Sequence, residues 1–160
     1  MIQRILILNG PNLNRLGKRQ PEVYGTTTMA QILLALQQAY PYISFSYRQS
    51  NHEGQLIDTL QALMEAKEAY DTGDTDNDYT QAVVLNPGGL CHSSVSLRDA
   101  VEETVQAGIP VVEVHISDIT RREPFRQHSL LTAVCPHAVI GQGTNGYHQA
   151  VQWIVDNEQR

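Results

Sequence analysis

Two pairs of residues in this chain have the types and the spacing for proton transfer. Glu113 and His115 lie one residue apart inside the apolar run Val111-Val112-Glu113-Val114-His115-Ile116. On a β-strand, alternation puts both on one face, where a carboxylate orients an imidazole and keeps it protonated. The pair would also serve as a satisfied structural contact at a strand end, but charged side chains in an otherwise apolar strand are costly to bury, which favours function. The second pair, Arg19 and Tyr24, lies with Arg15 and Lys18 in the stretch from Asn9 to Gly25. A phenol titrates near ~10 and becomes a base at neutral pH only where cations stabilise its phenolate. Surface charge with a packing tyrosine is the plainer reading of those residues. A phenolate base and an imidazolium acid would suit elimination of water, because one removes a proton and the other protonates the leaving hydroxyl.

Such groups need a scaffold that brings them together. The reactive residues follow the downstream ends of short apolar runs: Ile5–Leu8 leads into Asn9-Gly10-Pro11-Asn12, Val83–Leu85 into Asn86-Pro87-Gly88-Gly89, and Val111–His115 into Ile116-Ser117. If the runs are parallel strands of one sheet, these loops gather along one edge, the place where open α/β sheets bind ligands. Strands are expected at residues 2–8, 43–48, 81–85, 111–116 and 138–141. Helices are expected at 27–39, 53–69, 94–107 and 144–156, with Thr26 to Thr28 able to cap the first and Gly108 and Pro110 stopping the third. Strand and helix in alternation predict an α/β chain with a five-stranded parallel sheet between two helical layers. The short strands and a length suited to one domain, residues 1–160, point to a flavodoxin-like order. The stretch from Asn9 to Gly25 is far longer than a usual βα connection, which marks it as a functional loop or lid.

The chain has 160 residues, 41% of them hydrophobic, which supplies a sizeable core. No apolar run approaches the ~18 residues of a membrane span. The first residues lead straight into a strand without a signal-peptide pattern, so a cytoplasmic location is expected. Two cysteines, Cys91 and Cys135, are too few for a disulfide framework. Four acids of the net charge of −6 crowd into Asp71, Asp74, Asp76 and Asp78, and without them the balance is −2, with no basic stripe for nucleic acid. That acidic segment begins like a calcium loop but has Tyr79 where the loop needs glycine and Leu85 where it needs glutamate, so a solvated linker is expected. Gly141-Gln-Gly143-Thr-Asn-Gly146 matches G-x-G-x-x-G but comes after the last strand, which leaves no room for a dinucleotide-binding unit. A tight turn with close helix packing is expected there. The six histidines show no metal-ligand spacing, so no metal is expected. Lys18 and Lys67 are the only lysines, and neither sits in a pattern that would bury a Schiff-base amine.

Seven motifs in order carry a resemblance over nearly the whole chain. They are Ile-Leu-Asn-Gly-Pro-Asn-Leu-Asn-Arg-Leu-Gly at 7–17, Tyr24-Gly25, Gln-Ser-Asn-His-Glu-Gly at 49–54, Asn-Pro-Gly-Gly-Leu-x-His at 86–92, Ser-Val-x-Leu-Arg-Asp at 94–99, Val-Glu-Val-His-Ile-Ser at 112–117 and Gly-x-Gly-x-x-Gly-Tyr at 141–147. Together they resemble type II 3-dehydroquinate dehydratase. The resemblance implies cofactor-free dehydration of 3-dehydroquinate to 3-dehydroshikimate in the shikimate pathway through an enolate, a flavodoxin-like fold, and a homo-oligomeric dodecamer built from trimers. It makes Tyr24 the base, Arg19 the cation that holds it as phenolate and His115 the general acid, with Glu113 supporting His115 and Asn12 helping to hold a water on the enolate. The substrate carboxylate would meet Asn86 and the backbone amides of Ile116 and Ser117. Its hydroxyls would meet His92, Arg126 and Asp99, the last from a neighbouring subunit.

Several residues depart from the family pattern. Asp118 stands where Asn is usual, Thr120-Arg121 replace a His-Ala-like pair, and Pro124 replaces a Glu. These flank the expected site and leave its catalytic types intact. The alternative from another class is a non-catalytic flavodoxin-like ligand-binding module. A receiver domain would want clustered acids near the end of its first strand and an aspartate ending its third, where this chain has Asn9 and Asn86. A flavin binder would want a hydroxyl-rich phosphate loop where it has Pro11, Leu13 and Arg15. An ester hydrolase would want G-x-S-x-G, which is absent.

Overall fold

Three apolar runs form the middle of the sheet. In the computed structural model, which describes residues 1–158, they are β1 (Arg4–Asn9), β3 (Ala82–Asn86) and β4 (Val111–His115). All residues of β3 and β4, and five of the six of β1, are buried, as expected for parallel strands covered on both faces. The edges are β2 (Ser44–Gln49), whose side chains alternate between exposed and half-buried, and β5 (His137–Ile140). All pairings are parallel, in the order β2-β1-β3-β4-β5. This is the flavodoxin-like arrangement.

Period-two alternation divides the core between two helical layers. Ile5, Ile7, Val84, Val112 and Val114 face α2 (Met29–Ala39) and α5 (Gly146–Asn157), against Ile32, Leu36, Val151 and Ile154. Leu6, Leu8, Val83, Leu85 and Val111 face α3 (Glu53–Thr72) and α4 (Val95–Gln106), against Leu56, Leu60, Leu97 and Val101. Among the described residues, no helix is long and apolar enough to cross a membrane. The last two residues of the expected 1–160 domain, 159 and 160, lie outside the described residues.

Most boundaries move by one or two residues, for local reasons. The first long helix starts at Met29 because Thr28 is its cap: the Thr28 hydroxyl accepts from Gln31 N at 3.3 Å, and the Gln31 side chain accepts from Thr28 N at 2.9 Å. Such a cap contributes about 1 kcal/mol. Ser94 likewise lies outside α4 and caps it through Leu97 N at 2.9 Å. α3 runs past residue 69 to Thr72, because nothing breaks it before Gly73 turns left-handed at φ 77°. The expected lid carries two short elements, a 3-10 turn at Leu13–Arg15 and α1 (Pro21–Tyr24). Leu13 and Leu16 fasten it to the core.

Candidate active site

The site grows from two loops that interlock beyond β1 and β3. Asn9 and Asn86 are register partners at the ends of those strands, and Gly10 N donates to the Asn86 carbonyl at 2.7 Å. The loops then run so close that side chains are excluded. A Cβ on Gly10 would sit 2.5 Å from the Pro87 carbonyl oxygen, and one on Gly88 would sit 2.9 Å from that of Pro11. The paired Asn-Gly-Pro-Asn and Asn-Pro-Gly-Gly motifs thus have a steric reason. Gln49 and Asn51 tie the same place to the end of β2: Gln49 Nε2 donates to the Gly10 carbonyl at 3.2 Å, and Asn12 N donates to Asn51 Oδ1 at 2.9 Å.

From this root the lid presents Tyr24 at the end of α1. Arg122 donates from NH1 to the Tyr24 hydroxyl at 2.9 Å, and the Arg19 guanidinium carbon lies 5.0 Å from the ring centroid. Two cations therefore attend the phenol, and the one hydrogen-bonded to its oxygen is Arg122. Both Arg122 and Arg126 flank Glu123, at 3.9 and 3.0 Å.

Glu113 and His115 share a face of β4, as strand alternation requires, with His115 Nε2 2.7 Å from Glu113 Oε2. A carboxylate only accepts, so Nε2 carries a hydrogen and Nδ1 is left for the cavity that His115 lines. Ser129 and Thr132 also donate to Glu113. Close by, the His128 carbonyl accepts from His92 Nδ1 at 2.9 Å, which leaves His92 Nε2 as the free edge of that ring. The segment from His128 to Thr132 therefore orients both histidines of the site.

Burial, at 0% exposure, pushes the Glu113 carboxyl up, but the hydrogen bond and charge of His115 and the two hydroxyl donors outweigh it and hold the group below the usual carboxylate range. The folded pKa therefore lies under the unfolded one. The resulting stability is complete above the ordinary glutamate value of about 4.3 and is lost as pH falls through the folded value. The melting temperature of the parent should therefore fall more steeply below that range than that of Glu113→Gln. Equal slopes in thermal unfolding at several pH values would remove Glu113 from this role.

Cys91, Glu113 and His115 bring donor atoms within 4.8 Å of one another. Burial first, then the charge of Glu113, pushes the Cys91 thiol up to about 12. A protonated thiol and a carboxylate already engaged by three donors make a poor metal cradle, and the same protonation argues against a thiol nucleophile.

The cavity encloses about 240 Å³ and gathers Asn12, Arg19, Tyr24, Asn86, His92, His115, Ile116, Ser117 and Arg126, all expected from sequence. Glu113 stands behind His115. Asp99 is not among the lining residues: it is exposed on α4. Arg122 was not expected on the phenol, and Ser129 and Thr132 were not expected at all. No spacing signals them, since Arg122 and Tyr24 are 98 residues apart. The departing residues Asp118, Thr120, Arg121 and Pro124 do not line the cavity. Asp118 instead caps the short turn Ile119–Arg121, accepting from Thr120 N at 3.0 Å. The G-x-G-x-x-G segment forms a turn into α5, and its amides brace the site: Gly141 N donates to the His115 carbonyl at 3.1 Å and Gly143 N to that of Ile116 at 3.0 Å. Among the described residues, three guanidinium groups and no carboxylate line the cavity, in a chain of net charge −6. That setting suits a small, polar, anionic molecule.

Residues 3–155 match the family model described as "Dehydroquinase class II". The chain is 47% identical over 157 residues to a 3-dehydroquinate dehydratase of Janthinobacterium sp. (strain Marseille), covering 97% of this chain and 98% of that protein. It is 44% identical over 156 residues to 3-dehydroquinate dehydratase 2 of Corynebacterium efficiens, covering 96% and 98%. Among solved structures, it is similar to the type II dehydroquinase of Butyrivibrio crossotus, with a TM-score of 0.81 and 36% identity over 96% of this chain and 98% of that one.

Proposed function

This chain belongs to the class II dehydroquinase family, and we infer from that premise how it removes water from 3-dehydroquinate to give 3-dehydroshikimate. A single observation carries the assignment of roles: an arginine-bound phenol and a carboxylate-bound imidazole belong to one cationic cavity. Tyr24 takes the proton from the carbon next to the ketone, with Arg122 donating to its oxygen and Arg19 against its ring. The electron pair left behind spreads onto the ketone oxygen as an enolate. A water held by Asn12 hydrogen-bonds to that oxygen. His115 then gives its Nδ1 proton to the β-hydroxyl, which leaves as water as the double bond forms. Glu113 positions His115. Asn86 and the backbone amides of Ile116 and Ser117 receive the substrate carboxylate, and His92 and Arg126 its hydroxyls.

An enolate needs no amine. Neither lysine lines the cavity, and Lys67 is engaged on α3 with Asp71. The non-catalytic module is not favoured, because the relatives of this family are dehydratases.

The same reading includes a homo-oligomer, a dodecamer of trimers, in the cytoplasm. Supporting it are a cavity lined by no carboxylate among the described residues, an exposed Asp99 on α4, and two free thiols, Cys91 and Cys135. Incubation with 3-dehydroquinate should raise the ultraviolet absorbance of a conjugated enone, while sedimentation velocity on the same sample reads the assembly. A folded, assembled protein that produced no enone would refute the catalytic reading.

A further inference from the structure

One buried polar group behind the site has no part in the roles above. Tyr147, in the first turn of α5, is fully buried among the apolar side chains of α2, α5 and the sheet. Only its hydroxyl is polar. It donates to Asn9 Oδ1 at 2.9 Å and accepts from Asn86 Nδ2 at 3.1 Å. The orientation of the Asn86 amide is set by chemistry. Gly88 N can only donate and lies 3.2 Å from Asn86 Oδ1, so the carbonyl faces Gly88 and the NH2 group faces Tyr147. One N–H of Asn86 is engaged by the phenol, and the other is left for the cavity that Asn86 lines.

Phenylalanine would fill the same apolar space, whereas burying a hydroxyl is unfavourable without partners. The hydroxyl therefore has a polar task. Burial also pushes the Tyr147 phenol well above its ordinary value, so it remains a neutral donor to Asn9 throughout the working pH range.

We propose that Tyr147 is a positioning residue for substrate binding, whose buried phenol fixes the Asn86 amide so that its free N–H is presented to the substrate carboxylate. This rests on the reading of Asn86 given above. With the phenol gone, the Asn86 NH2 loses its buried partner and the amide is free to turn. The penalty falls on binding, because Asn86 touches the carboxylate and not the carbons that react.

Steady-state kinetics of the full chain test this. Folded Tyr147→Phe should raise KM about tenfold, the consequence of losing one buried hydrogen-bond partner, while kcat changes by less than about threefold. In an Asn86→Ala background the same substitution should add nothing to KM, since the residue through which it acts is gone. An unchanged KM in folded Tyr147→Phe, a fall confined to kcat, or an effect that persists in the Asn86→Ala background overturns the proposal. If Asn86→Ala alone leaves KM unchanged, the binding role of Asn86 fails and the proposal with it. A rise with Asn86→Ala but none with Tyr147→Phe overturns the proposal alone. Should Tyr147→Phe not fold, Asn9→Ala frees the phenol hydrogen, and KM should rise about threefold. An unchanged KM there also overturns the proposal.

Discussion

Tyr24→Phe should lower kcat by about 10³-fold, within the range that a positioned acid or base contributes, while leaving KM nearly unchanged and the protein folded. The substitution removes one oxygen. The ring keeps the Arg19 and Arg122 guanidinium groups 5.0 and 5.8 Å from its centroid, so the lid keeps its packing. What disappears is the acceptor for the proton next to the ketone. Under the proposed roles the imidazoles that line the cavity are already assigned, His115 as the acid and His92, held by the His128 carbonyl, as a substrate ligand. A water in the place of the phenol would be far less basic than a phenolate. Steady-state turnover with a melting curve on the same sample is the check, and a folded variant with kcat within tenfold of the parent would remove Tyr24 from the role of base.

His115→Asn should separate the two halves of the reaction. Enone formation should fall by about 10²- to 10⁴-fold because the proton donor for the leaving hydroxyl is lost. The base is untouched, so exchange of the proton next to the ketone with solvent should continue. Glu113 keeps its place in the variant through Ser129 and Thr132, which hold it independently of the imidazole. In deuterated water the recovered 3-dehydroquinate should therefore carry deuterium at that carbon although little product forms. Equal loss of exchange and elimination would mean that His115 chiefly orients the substrate.

Whatever depends on local periodicity was legible in the order of residues. Continuous apolar runs announced the buried central strands, because a parallel strand covered on both faces needs no polar side chains. The i, i+2 spacing of Glu113 and His115 put them on one face for the same geometric reason, and the helix at 94–107 was misplaced only at its ends, where Ser94 turned out to be the cap. The ordered motifs, through their resemblance, pointed to the family and to nine of the fifteen residues that line the cavity. Tertiary structure alone decided how those residues are held. Arg122 reaches Tyr24 across 98 residues, Tyr147 reaches Asn9 across 138, and the segment from His128 to Thr132 comes up beneath both histidines. Asp99, expected to reach the site of a neighbouring subunit, is exposed on α4 and lies outside the cavity of its own chain. Such contacts carry no period. They depend on where loops settle after the sheet has formed, as when Gly10 and Gly88 let two strand ends approach to backbone contact, and that distance is a property of the folded chain rather than of any stretch of it.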